Sequence, residues 1–108
     1  MSFSVKFIPK FEKELKQLAK KYPSLKSDFS TFLLSIKENP TQGTALGNNC
    51  YKIRFAIRSK GKGKAGGARI ITCVKIVNET VYLLTIFNKS EQESISDQDL
   101  KELLAFIV

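Results

Sequence analysis

Apolar residues in this chain recur with two periods, and the switches between them mark the elements. Phe3-Ser4-Val5-Lys6-Phe7 alternates apolar and polar, which predicts a short strand. Ile8, Phe11, Leu15, Leu18, Ala19 and Tyr22 then recur at spacings of three and four, with Lys10, Glu12, Lys13, Lys16, Lys20 and Lys21 between them. That pattern predicts an amphipathic helix entered through Pro9, a residue the first helical turn tolerates. Pro23 ends it, and Ser24 is placed to cap a second helix with the stripe Leu25, Phe29, Phe32, Leu33 and Ile36, closed by Asn39-Pro40. So short a connection favours an antiparallel helical hairpin. Thr41 to Asn49, with Gly43, Gly47, Asn48 and Asn49, reads as loop.

Period two returns from Cys50 to Arg58, where Tyr51, Ile53, Phe55 and Ile57 fall on one face and Lys52, Arg54, Ala56 and Arg58 on the other. A third strand, largely apolar and β-branched, is expected from Ala68 to Val77, and turn chemistry at Asn78-Glu79 leads into a fourth from Thr80 to Phe87. Ser96 opens a capping-box-like Ser-Asp-Gln-Asp, and the helix that follows buries Leu100, Leu103, Leu104 and Ile107. The order β-α-α-β-β-β-α predicts one α+β domain over 1–108, its helical hairpin and C-terminal helix packed on one face of a mostly antiparallel, twisted sheet. The other face is then left open to carry charge.

Charge sharpens that expectation. The 108 residues carry a net charge of +8, and no acidic residue stands between Glu38 and Glu79. Lys52, Arg54, Arg58, Lys60, Lys62, Lys64, Arg69 and Lys75 fill that window, so the whole excess lies within it. On the strand after Asn49, Lys52, Arg54 and Arg58 stand at i, i+2 and i+6 and are expected to project from one side, about 7 Å per two residues, close to the phosphate repeat of an extended nucleic-acid strand. Like charges side by side repel, so an uncompensated row points to a polyanion that completes it.

Composition removes other chemistries. The chain has no His, which excludes histidine acid/base work and histidine metal sites. Cys50 and Cys73 are too few for a zinc cluster or a disulfide scaffold and are expected to stay reduced in the core, so neither a metal nor another cofactor is expected. No apolar run approaches the roughly 18 residues of a membrane span. The start MSFSVKFIPK lacks a secretory h-region, which gives a cytoplasmic expectation. Gly61-Lys62-Gly63-Lys64-Ala65-Gly66 spells a dinucleotide fingerprint but joins two strands, whereas the fingerprint needs a helix N-terminus for the pyrophosphate; a cationic tongue suits it better. Arg69, directly after Gly66-Gly67, can come near Arg54 and Arg58 and give a phosphate two hydrogen bonds. Phe87 can stack a base or fill the core, and Glu91 can act as a base or pair with Lys89.

Cys50-Tyr51-Lys52-Ile53-Arg54, the Gly-Lys loop, Gly66-Gly67-Ala68-Arg69-Ile70-Ile71 and Tyr82-Leu83-Leu84-Thr85-Ile86-Phe87-Asn88-Lys89-Ser90-Glu91, in that order, resemble the RelE-like toxins of type II toxin-antitoxin modules, and within them the HigB-like branch. The resemblance implies a metal-independent endoribonuclease that enters the ribosomal A site and cuts messenger RNA. It also implies a monomeric toxin, neutralised by a cognate antitoxin with which it can form a higher-order complex. It puts the family's basic catalytic positions on Lys52, Arg54 and Arg69 and its C-terminal strand motif on Phe87, Lys89, Ser90 and Glu91, of which Lys89 and Glu91 join the catalytic candidates; the remaining cations of the acid-free window, Arg58, Lys60, Lys62, Lys64 and Lys75, are expected with Phe87 and Ser90 to contact RNA or the ribosome. Many relatives place a His or Tyr near the end of the sheet; here no His exists and no Tyr follows Tyr82, so the proton carriers must be sought among Lys52, Glu91 and Lys89. Two rivals use the same features without cleavage: a ParE-like toxin that binds DNA gyrase, and a single-stranded nucleic-acid binder that tracks phosphates.

Overall fold

The computed structural model describes residues 3–61 and 66–107. Its elements run β1 (Ser4–Phe7), α1 (Pro9–Lys21), α2 (Leu25–Glu38), β2 (Thr44–Gly47), β3 (Cys50–Phe55), a 3-10 turn (Arg58–Lys60), β4 (Ala68–Lys75), β5 (Thr80–Asn88) and α3 (Asp97–Leu104). The strands form one sheet in the order β1-β5-β4-β3-β2. Every neighbouring pair is antiparallel except β1 and β5, because the hairpin of α1 and α2 carries the chain away from β1 before β5 is laid beside it.

The helical hairpin covers one face. Phe7 and Phe55 from the sheet meet Phe11, Phe29 and Phe32 from the helices in a chain of rings, with centroids 5.4 Å apart for Phe7–Phe11, 5.8 Å for Phe11–Phe29 and 5.7 Å for Phe32–Phe55. Edge and tilted contacts of this kind add about 0.5–1.5 kcal/mol each beyond the area they bury. Ser24 does not cap α2. Its backbone is already helical, and its hydroxyl lies 2.7 Å from Asp28 Oδ2 and 2.9 Å from Ser59 Oγ. Ser96 does cap α3, accepting from the Asp99 backbone N–H at 3.1 Å.

Three further expectations are corrected. The stretch read as loop contains β2, a hairpin partner of β3 joined by Asn48-Asn49 with φ of 55° and 61°. Asparagine tolerates the left-handed region, and two such residues make the turn whose twist matches paired strands. The strand expected to reach Arg58 stops at Phe55. Gly67 lies so close beneath its end that a Cβ there would sit 2.2 Å from the Phe55 carbonyl oxygen, and the chain then turns through Arg58–Lys60. The second sheet face is not open. Lys52 Nζ lies 3.4 Å from Ser94 Oγ, and Thr85 shares a cleft with Ile95 and Leu103, so the C-terminal segment with α3 folds back over that face. Ile71, between Lys52 and Thr85 in the register, is fully buried, as are Cys50 and Cys73, which sit directly opposite one another as free thiols.

The edge of β5 is shared. β1 pairs only with Thr80 to Leu83, and beyond it α1 takes over: Glu14 Oε1 accepts from the Thr85 hydroxyl at 2.7 Å and the Ile86 N–H at 3.3 Å. Lys10 holds the same carboxylate at 2.6 Å. Among the described residues no helix is long and apolar enough to cross a membrane.

Candidate functional site

Antiparallel pairing of β3 and β4 sets Arg54 directly opposite Arg69, and the β4–β5 ladder sets Arg69 opposite Phe87. The three therefore project from one face, the one partly covered by the C-terminal segment, in a row near the Phe55 end of β3. Lys52 stands two residues along β3 on the same side, half-buried beside Ser94. Among the described residues no carboxylate pairs with Lys52 or Arg54, and Arg54 is exposed.

Arg69 is the buried member, at 6% exposure. One of its guanidinium nitrogens donates to the Ala68 carbonyl at 3.0 Å. Burial first, and the charge of Arg54 second, pull its pKa below the ordinary arginine value. It remains a cation, held in place and facing a like charge across the ladder. Two guanidiniums opposed on one face can both donate to the oxygens of a single phosphate.

The turn after β5 brings a second group to this end of the sheet. The Lys89 backbone N–H donates to the Gly67 carbonyl at 3.2 Å, which ties the turn to the chain entering β4. Lys89, Ser90 and Glu91 are exposed on that turn, and Glu91 Oε1 lies 3.9 Å from Lys21 Nζ at the end of α1 rather than against Lys89. Phe87 is only 8% exposed and packs as a core side chain, so it offers no free face for a base.

Other expected contacts lie elsewhere. Arg58 leaves the row of Lys52 and Arg54: its Nε meets Asp28 Oδ1 at 2.6 Å, its backbone N–H donates to Asp28 Oδ2 at 3.0 Å, and its Nη2 donates to Ser27 Oγ at 2.8 Å. Burial alone would raise the Asp28 pKa, but hydrogen bonds from Ser24 and Arg58 outweigh it and hold the carboxyl below its usual range. Lys60 folds back on the body, 3.1 Å from Asn88 Oδ1 and 5.6 Å above the Tyr22 ring. Lys75 is exposed at the far end of β4, six residues and about 20 Å from Arg69. Lys62 and Lys64 fall outside the described residues.

The structure also reveals a feature the charge pattern did not point to. Between α2 and the end of β3 lies a cleft of about 410 Å³, with Phe32, Phe55 and Ala56 below, hydroxyls of α2 along one side, and Arg54 among its lining. The signal in the sequence is the spacing Ser27, Thr31, Ser35, one hydroxyl per helical turn on a single face.

Comparison with known proteins gives a consistent result. Residues 10–106 match the family described as the RelE toxin of the RelE / RelB toxin-antitoxin system. Among solved structures, the chain is similar to a free E. coli RelE toxin carrying two arginine-to-alanine substitutions, at 18% identity and a TM-score of 0.66, with 100% of both chains covered. It is also similar to the intact E. coli RelBE toxin-antitoxin complex (18% identity, TM-score 0.62, 81% of this chain and 96% of that one). A RelBE toxin-antitoxin complex from Mycobacterium tuberculosis matches at 13% identity and a TM-score of 0.58, over 82% of this chain and 99% of that one.

Proposed function

Because the chain belongs to the RelE toxin family of toxin-antitoxin systems, we propose that it is a ribosome-dependent endoribonuclease of the cytoplasm that cuts translated messenger RNA and is neutralised by a cognate antitoxin. The observation that carries this reading is the register pair Arg54–Arg69, two guanidiniums opposed on one sheet face with Lys52 beside them. RNA supplies its own nucleophile. The ribose 2′-oxygen attacks the adjacent phosphorus, the bond to the 5′-oxygen of the next nucleotide breaks, and the products are a 2′,3′-cyclic phosphate and a free 5′-hydroxyl. The protein then has three tasks: to hold the phosphate as its charge rises, to accept the 2′ proton, and to return a proton to the leaving oxygen.

Arg69 and Arg54 perform the first task. Lys52 and Glu91 are the candidates for the second, and Lys89 for the third. With no histidine in the chain, proton transfer falls to these groups and to the ribosome. The antitoxin complexes solved for the E. coli and M. tuberculosis proteins support neutralisation by a bound partner.

The test is induced expression followed by primer extension on translated messages. Wild type gives cuts in phase with codons. Arg54→Ala and Arg69→Ala each lower cleavage by on the order of a hundredfold, with the folded state checked by thermal unfolding because Arg69 is buried. Growth arrest by wild type without any cut would turn the reading towards a gyrase-type poison, and full cleavage in both variants would overturn the assignment.

A further inference from the structure

Cys50 and Cys73 take no part in the phosphate site, yet they are the only two thiols of the chain and the β3–β4 ladder sets them face to face. The Val74 N–H donates to the Asn49 carbonyl at 2.9 Å, so Asn49 and Val74, one step before the cysteines, form a hydrogen-bonded pair. Antiparallel pairs alternate, which makes Cys50–Cys73 a non-hydrogen-bonded pair. In such a pair the Cα atoms stand about 4.5 Å apart and the side chains lean together. Disulfides form across Cα separations of about 4.4–6.8 Å. Both sulfurs also converge on one acceptor, with Cys50 Sγ 3.5 Å and Cys73 Sγ 3.9 Å from the Asn48 carbonyl oxygen. The backbone is therefore already set for a bond between them.

The surroundings select one sulfur as the nucleophile. A hydrogen bond from the Cys50 thiol, opposed by burial and helped by the charge of Lys75, brings the Cys73 pKa down to about 7, while the same contact and burial push Cys50 up. Cys73 is thus the thiolate of the pair and Cys50 its proton donor. The two residues are 0% and 1% exposed, so only a small reagent can reach them. Their cover is thin on one side. Cys50 follows the Asn48-Asn49 turn and pairs with Gly47 of β2, the outermost strand, which meets β3 in three register pairs with an irregularity between Ala45 and Gly47. A short edge of that kind opens locally at low cost and admits a molecule the size of a peroxide.

We propose that Cys50 and Cys73 are a redox-modification site, at which a hydroperoxide converts the opposed thiols into an intrachain disulfide between β3 and β4. The Cys73 thiolate attacks one peroxide oxygen, the O–O bond breaks, and a sulfenic acid forms on Cys73 as hydroxide leaves. The Cys50 sulfur then attacks the Cys73 sulfur, the S–O bond breaks, and the Cys50 proton leaves with the departing oxygen as water. With hydrogen peroxide, two thiols and one peroxide give one disulfide and two waters, and two electrons pass from sulfur to oxygen. The bond fastens together the two strands that carry Lys52, Arg54 and Arg69 without involving those side chains. The inference stands apart from the nuclease reading, since none of its steps involves RNA.

The test uses the purified full-length chain, reduced and then freed of reductant. It is treated with excess hydrogen peroxide at neutral pH, quenched with an alkylating reagent in denaturant, and analysed by mass spectrometry before and after dithiothreitol, with thermal unfolding in parallel. Expected are joint loss of both thiols, a monomeric chain lighter by two hydrogens, a peptide linking Cys50 to Cys73, full recovery by dithiothreitol, and a Tm raised by at least about 5 °C. Cys50→Ser and Cys73→Ser each abolish the linked peptide and the rise in Tm; the wild-type measurement decides alone should either variant fail to fold. Persistence of both thiols, sulfinic acid on a single cysteine, or disulfides only between two chains overturns the proposal. So does a Cys50–Cys73 bond that forms only after the chain has been unfolded in urea. A bond that forms in the folded chain without raising Tm overturns the fastening of the two strands.

Discussion

Asp28 is the joint between the helical hairpin and the turn that follows β3, and Asp28→Asn measures what that joint contributes. The wild-type carboxylate is 8% exposed and accepts from Arg58 Nε at 2.6 Å, Arg58 N at 3.0 Å and Ser24 Oγ at 2.7 Å. An amide of the same shape keeps one oxygen, so its NH2 must face at least one of the Arg58 donors. Hydrogen bonds to charged groups contribute about 1.5–3 kcal/mol each, and the Arg58 side chain is 67% exposed, which screens the ionic part. The net loss is therefore about 2 kcal/mol. For a domain of this size that corresponds to a Tm lowered by about 8–16 °C, read by thermal unfolding followed by circular dichroism at neutral pH. The carboxyl titrates below its unfolded value, so its stabilisation is fully present above about pH 4 and is lost as pH falls through the folded pKa. The gap between wild type and variant must close over that acidic range. Arg58→Ala, which leaves the backbone donor and Ser24 in place, costs about half as much. An Asp28→Asn midpoint within about 2 °C of wild type at neutral pH would refute the reasoning.

Two further outcomes follow from packing. The Thr72 hydroxyl is buried with no hydrogen-bond partner among the described residues; Thr72→Val is isosteric there and should stabilise the protein by about 1–2 kcal/mol, measured as a shift in urea midpoint at unchanged m-value. Gly67→Ala would drive a Cβ to 2.2 Å from the Phe55 carbonyl oxygen, so a destabilisation of about 3 kcal/mol or more is expected, together with lost cleavage because the start of β4 carries Arg69; wild-type stability in that variant would contradict the close approach.

Much of this architecture can be read from the chain, and the misses have physical causes. The helices declare themselves through Phe11, Leu15 and Leu18 and through Phe29, Phe32 and Ile36, because each must bury a stripe. β2 does not, since Thr44–Gly47 is a short edge strand with little to bury on either face; only Asn48-Asn49 betrays its turn. Alternation also carries no information about where a strand stops. Arg58 keeps the parity of Lys52 and Arg54, but the backbone has already turned and Asp28, thirty residues earlier, has captured it. The covered second face was legible in Ala68–Val74, seven consecutive buried residues, since a strand with one wet face alternates and one buried on both sides does not. The pairing of Arg54 with Arg69 was foreseen only as nearness; the register that opposes them depends on ladder geometry and not on either residue.

The carboxylate of Glu14 has a consequence for the protein's life in a crowded cell. A sheet margin with unpaired N–H groups invites a foreign strand, and here the stretch of β5 that β1 fails to cover is such a margin. By accepting from the Thr85 hydroxyl and the Ile86 N–H, Glu14 occupies the place an incoming chain would use. Helix α1 thereby acts as a guard against edge-to-edge polymerisation, at the point where an apolar strand such as Leu83-Leu84-Thr85-Ile86-Phe87 would otherwise be the most hazardous segment of the molecule.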